Sequence, residues 1–75
     1  MNINFEQLKK LREESGYTQK YVSDYLNIKQ PQYSRYERGL RDVPTDILIS
    51  LAKLYNTSTD YILGLTSKKE PYPKD

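Results

Sequence analysis

Cysteine, histidine and tryptophan are absent from this 75-residue chain, and glycine occurs only three times. Without cysteine there is no disulfide staple, and without histidine as well the ordinary zinc donor set is missing. The lack of histidine also removes the commonest general base. A Ser23–Lys20 pair at i,i+3 on a helix is a commonplace surface spacing, short of the environment an activated nucleophile needs. Glu13 and Glu14 are neighbours in sequence and cannot face one another on a helix, which excludes paired-carboxylate chemistry. No glycine-rich phosphate loop is present. These absences argue against an enzyme, and no cofactor or metal is expected. Long apolar runs are missing too, since nothing approaches the ~20 residues of a membrane span. Met1 to Glu14 mixes Lys9, Lys10, Arg12, Glu13 and Glu14 into its apolar pattern, unlike a signal peptide with about 7–15 apolar residues in a row. A soluble, cytoplasmic protein is the expectation.

What remains is one small domain. A chain of this length buries only about 60–65% of its unfolded surface, so the core must be economical. Hydrophobic residues make up 36% of the chain, and eight tyrosines partly compensate by burying rings while keeping hydroxyls hydrated. Twelve basic residues against ten acidic ones give a net charge of +2, too mild to announce a partner except through its distribution.

Capping residues divide the chain into five helical segments. Asn4 with Gln7 forms a capping-box pattern ahead of an apolar stripe of Phe5, Leu8 and Leu11, and Gly16 closes that helix. Thr18 caps a second helix carrying Tyr21, Val22, Tyr25 and Leu26, and Asn27 ends it in a left-handed conformation. A third helix begins near Gln30 with Pro31 in its first turn, buries Tyr33 and Tyr36, and stops at Gly39. Pro44 and Thr45 open a fourth, ending at Asn56, and Ser58 or Thr59 caps a last short helix ending at Gly64. No stretch alternates with a period of two, so the fold expected is all-α, a compact five-helix domain over residues 1–65. Residues 66–75 carry two prolines and no periodicity, and read as a flexible or extended tail. Its Lys68, Lys69 and Lys74 read as a solubilising end, with a DNA-grazing arm as the alternative.

Residues 18–38 hold two helices joined only by Asn27-Ile28-Lys29, a connection suited to a crossed pair. This block resembles the helix-turn-helix of the phage repressor and Cro-like family, the xenobiotic-response-element family of bacterial regulators. The matching residues are Thr18-Gln19, the anchors Val22, Leu26 and Ile28, then Tyr33, Tyr36 and the closing Tyr36-Glu37-Arg38-Gly39. The resemblance continues through Pro44, Leu51-Ala52-Lys53-Leu54-Tyr55 and Thr59-Asp60-Tyr61-Ile62-Leu63-Gly64, about residues 4–65 in all. Ser23 stands where the family usually has alanine, Asn27 where it has glycine, and Lys29 where it often has a capping serine. Tyrosines replace aliphatic residues at 33 and 36.

The resemblance implies a transcriptional regulator, expected to be a repressor, that reads double-stranded DNA with the helix at 30–38. It implies base contacts from Gln30, Gln32 and Arg35, with Pro31 offering apolar contact to a thymine methyl. Glutamine suits adenine and arginine suits guanine. Phosphate contacts fall to Tyr17, Gln19, Lys29, Ser34, Arg38 and Arg41. The charge distribution agrees, because residues 29–41 hold Lys29, Arg35, Arg38 and Arg41 against one acid, Glu37. Arg12 and Glu37 match a family ion pair tying the first helix to the end of the third. The family mostly binds palindromic operators as dimers, which places Tyr61, Leu63 and Leu65 at or near a homodimer contact. No sensor domain is evident, so any signal is expected to act through a protein partner, proteolysis or concentration. The alternative reading is a protein-interaction module, an antitoxin or adaptor, for which exposed Arg35 and Arg38 would be unnecessary.

Overall fold

A computed structural model describes residues 5–71, and within them it forms five helices and no strand. They are α1 (Phe5–Glu14), α2 (Gln19–Leu26), α3 (Gln30–Glu37), α4 (Thr45–Leu54) and α5 (Thr59–Leu63). Asn4, expected to cap α1, and the end of the tail including Lys74 lie outside the described residues.

Each boundary has a local cause. The Thr18 hydroxyl accepts the Tyr21 N–H at 3.0 Å, and Ser58, rather than Thr59, does the same for Tyr61 at 3.0 Å. Asn27 adopts φ 59°, which turns its own N–H onto the Asp24 carbonyl and the Ile28 N–H onto that of Ser23. Lys29 stands at the N-cap of α3 without a side-chain cap, and Pro31 occupies the first turn, where an N–H would be unsatisfied anyway. Helix α4 stops at Leu54, earlier than the sequence suggests, because Asn56 takes a left-handed φ of 50° and closes the turn beyond it.

Leu8, Leu11, Val22, Tyr33, Leu51 and Ile62, drawn from all five helices, have almost no exposed surface. Full burial of side chains of this kind contributes about 1.5–3 kcal/mol each before conformational entropy is counted. The Ser23 hydroxyl, buried where α2 meets its neighbours, donates to the Lys20 carbonyl at 2.9 Å. A polar atom is thus satisfied by its own helix, and the small side chain permits close packing.

Two expectations are corrected, and part of the tail can be placed. Tyr21 and Tyr25 are about half exposed, because Val22, Ser23 and Leu26 fill the buried face of α2 and leave the tyrosines on its flank. Phe5 is 40% exposed and lies over Gly39 instead of joining the central stripe. The described part of the tail folds back. Thr57 Oγ1 donates to the Lys69 carbonyl, and Lys69 Nζ lies 3.9 Å from a Glu14 carboxylate oxygen. Among the described residues, no helix is long and apolar enough to cross a membrane.

Candidate nucleic-acid interface

Helix α3 makes only two turns, so each position has a fixed aspect. Tyr33, Tyr36 and Glu37 turn inward and are buried. A helical step of 100° then sets Pro31, Arg35 and Arg38 on the opposite side, exposed, while Gln30 is exposed as the first residue of the helix. Gln32 and Ser34 sit on the two flanks and are half-buried. Lys29 and Arg41, exposed, precede and follow the helix. The outward face is therefore cationic and amide-rich, with its one carboxylate buried beneath it.

That carboxylate anchors the helix. Arg12 Nε donates to Glu37 Oε2 at 2.5 Å and Arg12 Nη2 to Oε1 at 3.1 Å, a forked two-point ion pair. Arg12 Nη1 also donates to the Tyr17 carbonyl at 3.0 Å, and Gln19 Nε2 donates to Glu37 Oε1 at 3.2 Å. One arginine thus ties α1, the turn into α2 and the end of α3 together. Burial acts to raise the Glu37 carboxyl pKa, but the hydrogen bonds from Arg12 and Gln19, with the Tyr33 phenol close by, outweigh it and hold the group below the usual carboxylate range. The Glu37 hydrogen bond in turn raises the Arg12 guanidinium. Burial also pushes the Tyr55 phenol up to about 12, and the Tyr33 phenol, next to Glu37, higher still. These two hydroxyls approach their neighbours without the geometry of a full hydrogen bond.

The network redirects two residues read as free contacts. Gln19 spends one amide hydrogen on Glu37, and Gln32 donates to the Tyr36 hydroxyl at 3.0 Å instead of standing clear of the helix. Arg38 caps α3, with Nε reaching the Ser34 carbonyl at 3.4 Å, while its side chain stays exposed. Tyr17 is fixed by ring contacts, 4.4 Å between centroids to Tyr21 and 6.2 Å to Tyr55. Lys9 and Lys10 of α1 escaped the sequence reading. They line a groove with Gln19, Ser34 and Arg38, and with the α1 glutamates Glu6, Glu13 and Glu14, and only the fold brings them to α3. Among the described residues no cluster of acidic side chains is placed to hold a metal.

An exposed polar helix, crossed and supported by a second helix across a three-residue turn, defines the class. The chain belongs to the helix-turn-helix family, whose family model matches residues 8–62. It is similar to the HTH-type transcriptional regulator ImmR of Bacillus subtilis (strain 168), 51% identical over 59 residues that cover 79% of this chain and 46% of that protein. It is also similar to the HTH-type transcriptional regulator AnsR of the same organism, 32% identical over 72 residues covering 96% of this chain and 62% of that one. A transcriptional regulator from Listeria innocua has a crystal structure that superposes with a TM-score of 0.80 at 25% identity, over 91% of this chain and 64% of that chain. The chain spans about half to three-fifths of the length of these two curated relatives.

Proposed function

We propose that the chain is a sequence-specific double-stranded-DNA-binding unit of a transcriptional repressor, with α3 lying in the major groove. One observation carries the reading: Pro31, Arg35 and Arg38 share an exposed face of a helix whose other face is locked by Tyr33, Tyr36 and Glu37, and Gln30 is exposed at its N-terminus. A helix about 10–12 Å across fits a major groove about 12 Å wide. Gln30, Gln32 and Arg35 then meet base edges, and Pro31 meets a thymine methyl. Tyr17, Gln19, Lys29, Ser34, Arg38 and Arg41 contact phosphates on either side and set the register without reading sequence. Gln19 keeps a second amide hydrogen for that purpose. The names of the relatives, as transcriptional regulators, support the same reading. Two copies bound to a palindrome through Tyr61, Leu63 and Leu65 would sit one helical turn apart, about 34–36 Å.

The test is selection from a random duplex pool. Enrichment of a palindromic site, with binding that weakens steeply as salt rises, is the expected result. Failure to enrich any duplex, together with capture of a specific protein partner, would favour the adaptor reading instead.

A further inference from the structure

Tyr36 is almost fully buried, 3% exposed, yet its hydroxyl binds a half-buried side chain on the flank of α3. Its partner there is Gln32 Nε2, 3.0 Å away and one helical turn earlier. The other two buried core tyrosines behave differently: the Tyr33 and Tyr55 hydroxyls make no full hydrogen bond. A glutamine side chain on a helix normally samples several rotamers and either amide orientation, which blurs any base preference. Here one amide hydrogen is tied to a phenol whose ring is clamped in the core.

We propose that Tyr36 is a specificity-positioning residue, holding Gln32 with its carbonyl oxygen outward and one Nε2 hydrogen free so that this side chain selects adenine. The chemistry follows from the remaining valences. The free Oε1 accepts from the exocyclic N6 amino group and the second Nε2 hydrogen donates to N7, the two-point match that adenine offers in the major groove. Thymine and guanine present an acceptor where Oε1 needs a donor. Cytosine supplies the donor but lacks the second acceptor. The Tyr36 hydroxyl touches no base and acts only through Gln32. The inference rests on the DNA-reading proposal and adds to it the base read at one position and the residue that enforces it.

The experiment compares wild type, Tyr36→Phe, Gln32→Ala and the double variant on the duplex selected by wild type. Single-base replacements are made at each position of one half-site. Tyr36→Phe keeps the ring, so thermal unfolding is expected to stay close to wild type. The expected result is a loss of preference for adenine at one position by about three- to ten-fold, with the salt slope unchanged. Gln32→Ala loses the same preference, and the double variant loses no more than the larger single loss. In the free protein the Gln32 Nε2 proton bound to Tyr36 is expected to exchange more slowly by NMR than the free one, and to exchange faster in Tyr36→Phe. That measurement on wild type tests the hydrogen bond whatever the stability of the variant. Undiminished adenine preference in Tyr36→Phe, an equal loss on every duplex, or equally fast exchange of both Nε2 protons in wild type would each overturn the inference. A wild-type protein that discriminates among no duplexes would overturn the DNA-reading proposal itself, an outcome separable because amide exchange is read without DNA.

Discussion

Arg12 and Glu37 carry the largest single-residue consequence. Their side chains are 13% and 3% exposed, so removing one partner strands the other with little access to water. Arg12→Ala is therefore expected to cost about 3–5 kcal/mol, read as a fall in the urea midpoint. Glu37→Gln removes the buried charge along with the pair and should cost less. It should also change the pH dependence. Because the folded Glu37 carboxyl titrates below its ordinary value, its stabilisation is complete above about pH 4.3 and is lost as pH falls through the depressed folded value. Unfolding followed from pH 6 downwards should show a flatter acid limb for Glu37→Gln than for wild type; parallel limbs would contradict the assignment. At the alkaline end the sign reverses. Tyr55 stays protonated in the folded state up to about pH 12, so stability is lost as pH climbs from the unfolded phenol value near 10, and Tyr55→Phe should remove part of that loss.

At the scale of the element, the turns that aim α3 depend on backbone angles only a few residues tolerate. Gly16 and Gly39 have nearly the same φ, 73° and 71°, but different surroundings. A Cβ at Gly16 would meet nothing within 4 Å, whereas one at Gly39 would lie 2.8 Å from the Phe5 ring. Gly16→Ala should thus report left-handed strain alone, about 1–2 kcal/mol. Gly39→Ala should cost more, and Phe5→Ala should shrink the difference between the two, as thermal melts of the four variants would show. Equal costs would mean that the ring moves aside freely. Features of this kind were legible beforehand because they are local. Thr18, Asn27, Pro31, Gly39 and Gly64 each announce a boundary through chemistry confined to one turn. The fate of the tyrosines was not local. Tyr21 and Tyr25 recur at helical spacing as Tyr33 and Tyr36 do, yet the first pair is exposed and the second buried. Which side of a two-turn helix faces the core is decided by its neighbours. The same holds for Gln19 and Lys9, whose association with α3 needs the packing of three helices. Much of the proposed reading face could be placed by counting around α3 from Tyr33 and Tyr36. The hydrogen bonds restricting Gln19 and Gln32 could not.

On the scale of the whole molecule, a domain this small cannot cover every apolar side chain. Leu65 is 74% exposed, while Tyr61 and Leu63 are half-buried against the core, so the end of α5 presents a modest apolar edge. That edge is the proposed contact for a weak self-association, expected to strengthen when two half-sites hold the copies together. Sedimentation at saturating protein should give two subunits per palindromic duplex, and Leu65→Glu should lower apparent affinity for the palindrome while sparing a single half-site. One subunit per palindrome would refute the proposed contact.

Sequence reading and phosphate anchoring are proposed to divide between Arg35 and Arg38, and a salt titration of their alanine variants separates the two roles. Each variant is measured on a selected site and on a scrambled duplex. Arg35→Ala should cost about 1–3 kcal/mol on the selected site and relax preference at one base position. Arg38→Ala should weaken both duplexes by similar amounts and flatten the slope of log affinity against log salt by about 0.9 for each phosphate that a subunit no longer neutralises. If Arg35→Ala weakened both duplexes equally and left discrimination intact, Arg35 would be a phosphate clamp, and the outward face of α3 would not be the surface that reads DNA.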